Sequence, residues 1–248
     1  MSKLFPPMKI DRPASSIVGV VVCWIACFFV APFILIPFAS NGVWGSLKGT
    51  SWVEIFFHIL KTATVLMVFK QFIADAFFFL QTSVKACLGC AVAALMLMVA
   101  TVLIQIVSMT MLGMPVAYLM NAFPLVEMAV TFTPGYLAYI NPVFGTICLT
   151  VVTPISTCVL LYVFGFAPAC SKKTWLGYVS IAVVTLIPAL ISVMWINDFV
   201  LAMDMYLLQL PVHLIACWSY QKTDNILTPI FAVGMLNLLA SLVNVFLI

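Results

Sequence analysis

Two small clusters of side chains in this chain have the spacing that chemistry uses. Glu54, His58 and Lys61 recur at i, i+4 and i+7, which stacks them down one face of a helix. A carboxylate beside an imidazole is the arrangement of an acid–base or proton-handling pair, because imidazole titrates near neutral pH. Cys87 and Cys90 in "CLGC" stand at i and i+3, where two thiols share a helix face and can exchange disulfides. Outside these clusters, Glu127, Asp198, Asp204 and His213 are ionisable groups in apolar surroundings, and Asn237 is a lone amide in "TPIFAVGMLNLLAS".

The elements that must position them are membrane helices. Hydrophobic residues make up 65% of the 248 and charged residues 7%, with a mean hydropathy of +1.26, which excludes an ordinary soluble domain. A span needs about 20 apolar residues to cross roughly 30 Å of hydrocarbon. Seven stretches qualify, near 16–38, 52–69, 86–112, 142–166, 175–195, 199–218 and 226–248, and 115–133 is an eighth candidate. The expected fold is therefore an all-α bundle of seven or eight transmembrane helices, one integral membrane domain over 1–248 with no soluble domain, internal repeat or low-complexity tail. The expected partner common to all of it is the lipid bilayer. A net charge of +3 spread over short loops reports topology and weak attraction to anionic lipid; nothing in it suggests a nucleic acid.

Lysine and arginine in short loops stay in the cytoplasm, so Lys3, Lys9 and Arg12 place the N-terminus there. If 115–133, with Pro115, Asn121, Pro124 and Glu127, is re-entrant or interfacial, then Lys70, Lys85, Lys172, Lys173 and Lys222 also fall inside. Only Lys48 is then outside, and 113–141 is an outer segment whose backbone must be covered by protein or water. The C-terminus is expected outside, and the first apolar run, longer than a signal h-region and without a small-x-small site, stays as a span. "KQFIADAFFFLQTSVK", Lys70 to Lys85, reads as an amphipathic connector along the cytoplasmic interface; the alternative is an extension of the second span. Small residues every four positions, Ser15, Gly19, Cys23 and Cys27, then Ala86, Cys90 and Ala94, mark seams for close helix approach.

Placed on these elements, the candidate chemistry narrows. A disulfide-generating enzyme would hold Cys87 and Cys90 on the oxidising side, but the lysines put them at the cytoplasmic end, so they read as small residues in a packing seam. Glu54 falls in a first helical turn, where a carboxylate complements the dipole, yet ionisable groups at membrane depth are by default candidates for function. Asp198, after Asn197, is a helix start. His213 lies deeper and is expected neutral, hydrogen-bonded to a neighbouring helix. A zinc site would need further ligands and the chain has only one other histidine, so neither metal nor cofactor is expected. Pro154 and Pro188 each remove a backbone hydrogen bond inside an apolar run and predict bends.

From "VVTPISTCVLLYVFG" through "LLQLPVHLIACWSYQKTDNILTPIFAVGMLNLLASLV", the chain resembles the CAAX-protease and bacteriocin-processing (CPBP, or Abi) family of intramembrane proteases. That family has a Pro-x-x-Glu-Glu-x-x-x-Arg helix, a Phe-x-x-x-His helix, an aromatic-basic-Thr-Gly-Asn turn and a final His-x-x-x-Asn. Here "YQKTDNILTPI" looks like the turn and Asn237 matches the last Asn. The paired glutamates fall on Thr157 and Cys158, the arginine on Tyr162 and the last histidine on Val233, and no histidine occurs between Ala182 and Asp198. In the family a glutamate activates water and the histidines hold the oxyanion, which Thr, Cys and Val cannot do. The resemblance thus implies a proteolytically inactive member whose former cavity binds a partner, such as a membrane or envelope protein or a peptide, in an immunity-type or regulatory role.

Two other readings follow from the residues. Setting "FPLVEMAVTF" on the first motif keeps Glu127 and gives an active endopeptidase with a rearranged site, Glu127 with His58 or His213. A small transporter or channel subunit is the third. Read without any family, "AVGMLNLL" is an apolar helix with one interhelical Asn hydrogen bond.

Overall fold

The computed structural model describes residues 47–111, 141–196 and 199–247, and every regular element among them is helical. In chain order these are α1 (Leu47–Val68), α2 (Lys70–Met111), α3 (Pro142–Lys172), α4 (Thr174–Ile196), α5 (Phe199–Thr223) and α6 (Leu227–Leu247). Their bounds follow the hydropathy reading closely. The stretches 16–38 and 115–133, the 15–27 seam, Glu127 and Asp198 lie outside the described residues, as do the side chains of Lys48, Glu54, Pro188 and Asp204. Among the described residues, Ser83–Ser108 of α2 and the whole of α3 are long and apolar enough to cross a membrane.

Between α1 and α2 the chain turns through 80°, from His58–Val68 to Lys70–Gln81. Phe69 forms the corner: it is buried, its ring centroid lies 4.7 Å from that of Phe164, and its N–H still reaches Val65 O at 2.9 Å. Helical geometry breaks again at Ser83 (φ −131, ψ 22), where the apolar part of α2 begins. The segment between the two breaks turns Ile73 and Ala76 inward and Phe77, Phe78 and Phe79 outward. A bend of 80° rules out the alternative over 70–85, a straight extension of α1.

The long helix α3 occupies the centre, with 67% of its most apolar window buried. Thr153, Ser156, Thr157 and Cys158 are small enough to let neighbours close on it, and all are buried. After a one-residue break at Lys173 (φ −150, ψ 132), α4 folds back on the last turn of α3. Gly177 permits that return, because a Cβ there would stand 2.6 Å from Cys170 Cβ. Helix α5 packs on α4 and α2, while α6 packs on α2 and runs along the first half of α3.

The seam expected on α2 at Ala86, Cys90 and Ala94 is met only at Ala94, which is buried. Ala86 faces outward and Cys90 is only half-buried, while Cys87, Ala91, Ala94 and Met98 form the buried stripe. Faces spaced i, i+4, i+8 and i, i+4, i+7 differ by a fraction of a turn, and the choice between them is set by the neighbours α5 and α6, which spacing alone does not contain.

Candidate functional site

Pro154 lies in the middle of the most buried helix, where it has no N–H to give and its ring crowds the preceding turn. The helix widens to admit it: Cys148–Val152 adopt π turns, and the Thr153 N–H reaches back five residues to Cys148 O. Continued by one residue, that register would pair position 154 with Leu149 O, and proline supplies no hydrogen. Asn237 of α6 does so instead. Its Nδ2 donates to Leu149 O at 2.9 Å, both residues being fully buried.

The neighbouring groups complete the arrangement. Gly234 brings α6 so close that a Cβ there would lie 2.5 Å from Thr150 O. From α1, the Thr62 hydroxyl donates to Val152 O at 2.8 Å, and within α3 the Thr153 hydroxyl donates to Cys148 O at 2.9 Å. Asn237 therefore has a structural task that needs no catalytic history: it satisfies a carbonyl stranded by a proline in a dry interior, where an unsatisfied group costs about 1–3 kcal/mol.

A second polar contact lies farther along α3. Tyr162 Oη and His213 Nδ1 share a hydrogen bond of 2.8 Å, with ring centroids 5.9 Å apart and planes at 73°. Both side chains are buried, and Tyr162 belongs to the same core cluster as Cys158, Cys217 and Val233. His213 is thus bonded to a neighbouring helix, as expected of it. The position that the resemblance assigns to arginine, Tyr162, is the partner. Around it, Tyr178 donates to Gln221 Oε1 at 3.0 Å and Ser180 to Gly165 O at 2.7 Å, fastening α4 to α5 and α3.

The turn between α5 and α6 uses Asn225 twice. Its Oδ1 accepts the Leu227 N–H at 2.9 Å, capping α6, and its Nδ2 donates to Ala76 O at 2.9 Å, tying the turn to α2. Asp224, which stands where the family motif has glycine, adopts φ 50, a left-handed conformation that Asp tolerates better than most residues.

The sequence-derived candidates separate into two groups in this fold. Thr157, Cys158, Tyr162, Val233 and Asn237 are packed in the core with at most 4% of their surface exposed. His58 and Lys61 are also buried, on the face of α1 that packs on the first half of α3. His213 meets Tyr162 instead, about 15 Å of helical rise beyond Val152, the residue that α1 contacts through Thr62. The two histidines are not brought into one site. Neither Cys87 nor Cys90 is in a disulfide; Cys87 belongs to the packed stripe, while Cys90 is half-buried beside it. Among the described residues no three His, Cys, Asp or Glu side chains converge as metal ligands.

Sequence reasoning missed Thr62, Gly234 and the Tyr162 bond to His213. A signal for the first two existed: a buried proline in one helix calls for a donor and a close-approach glycine in another, and "GMLN" is a segment able to provide both. No protein-family model, no curated protein and no solved structure matches this chain.

Proposed function

We propose that this chain is a multi-pass membrane protein that acts as a proteolytically silent scaffold, a degenerate relative of the CAAX-protease and bacteriocin-processing family whose helices bind another membrane or envelope protein or a peptide. The observation that carries this reading is the state of the motif positions. Thr157, Cys158, Tyr162 and Val233 are sealed in the core, and a hydrolase needs its acid, its base and a water in one accessible cavity. Asn237 is committed to Leu149 O, which gives it a role in holding α6 to α3 without any substrate.

The endopeptidase alternative pairs Glu127 with His58 or His213; Glu127 lies outside the described residues, and of the two histidines His213 is already bonded to Tyr162. Peptide cleavage by the purified full-length protein in mild detergent tests the reading. Expected is no cleavage above that of mock-purified membranes, together with a stoichiometric copurifying protein or peptide. Cleavage that disappears in Glu127→Ala would overturn it.

A further inference from the structure

An apolar groove opens at the corner where α2 leaves the connector. It has a volume of about 340 Å³ and is walled by Phe77 and Leu80 before the break at Ser83, Val84 and Cys87 after it, and Ile230 and Phe231 of α6. Its lining is hydrocarbon apart from the Cys87 thiol and the Thr228 hydroxyl, and the latter is already bonded to the Thr223 hydroxyl at 3.0 Å. A cavity of this size without free polar groups stays dry and accepts hydrocarbon. Phe77, Val84, Leu88 and Phe231 line the groove and are each about half exposed, so the groove is open rather than enclosed.

Hydrocarbon alone gives no preference, because the tails of surrounding lipids are as apolar as the groove itself. Selection must come from the mouth. Exposed Lys85 is not part of the lining but stands next to Val84 on the same turn, with a stem long enough to reach round to the rim, and exposed Lys222 closes α5, which packs on α2, its Nζ 5.8 Å from the Trp218 ring. Both lysines belong to the set assigned to the cytoplasmic side, where the leaflet is anionic. A long cationic side chain at that level extends toward the headgroups.

We propose that this groove holds one acyl chain of an anionic phospholipid of the cytoplasmic leaflet, with its phosphate on Lys85. The proposal rests on the membrane placement given above and is independent of the silent-protease reading. Carbonate washing of source membranes separates the two: release of the chain sinks the membrane placement and the groove with it. For a retained chain, the full-length protein is reconstituted in bilayers of equal parts phosphatidylglycerol and phosphatidylcholine, re-extracted in mild detergent, and its bound lipid counted by native mass spectrometry.

Expected is one retained phosphatidylglycerol in preference to phosphatidylcholine, not displaced by excess inorganic phosphate. Val84→Trp, which fills the mouth from an exposed position, abolishes retention, and Lys85→Ala weakens it about fivefold. Val107→Trp, on the exposed part of α2 away from the groove, leaves it unchanged and controls for folding. Equal retention of the two lipids, displacement by phosphate, unchanged retention in Val84→Trp, or loss in Val107→Trp as well would each overturn the proposal.

Discussion

The two helices best suited to cross a membrane differ in a way that hydropathy alone inverts. Ser83–Ser108 is the more apolar, with a mean hydropathy of 2.6 against 2.2 for Pro142–Lys172, yet 22% of its window is buried against 67%. In water the more apolar helix would be the central one. In a bilayer it gains nothing by leaving lipid, and close packing and hydrogen bonds decide the centre instead. The outer helix accordingly exposes Leu97, Leu103, Ile104 and Val107, while the central one buries Thr153, Ser156, Thr157 and Cys158. The central helix is also the irregular one, because stranded carbonyls are tolerated only where neighbours can reach them.

Substitutions that break this contrast are expected to rank by how far they disturb the contact between α3 and α6. Gly234→Val comes first, since even a Cβ would meet Thr150 O at 2.5 Å and the backbones must part. Overpacking of this kind costs about 3 kcal/mol, read as lost unfolding free energy in mild detergent. Asn237→Leu leaves Leu149 O without its donor and is expected to cost about 1.5 kcal/mol in the same measurement. Tyr162→Phe removes the bond to His213 without making a cavity, for a loss of roughly 0.6 kcal/mol, the average for an interhelical hydrogen bond. Ile104→Ala on the exposed face of α2 is expected to stay within about 0.5 kcal/mol. A loss at Ile104 as large as that at Asn237 would erase the distinction between the two helices.

Much of this was legible in the sequence at the level of elements. Apolar runs near 52–69 and 226–248 meet α1 and α6 within a few residues of their observed bounds, because in membranes helix length and backbone satisfaction are set by composition. That 70–85 is set apart from α1 was legible from its flanking lysines and its phenylalanines. Partners were not. That Asn237 and His213 would each find a bond across helices follows from the cost of burying them bare, but Leu149 and Tyr162 as their partners depend on which spans adjoin and at what height. Every apolar run has a face of small residues, so the shift from Ala86 to Cys87 on α2 likewise had no local signature.

The central claim is that Asn237 supplies the hydrogen that Pro154 lacks. A double-mutant cycle over Pro154→Ala and Asn237→Leu, with unfolding free energies measured on all four proteins in one detergent, tests it directly. Restoring the N–H at position 154 returns a donor to α3, so Asn237→Leu is expected to cost about 1 kcal/mol less in the Pro154→Ala background than alone. Additive costs would contradict the claim and leave Asn237 as a donor whose task has nothing to do with the proline.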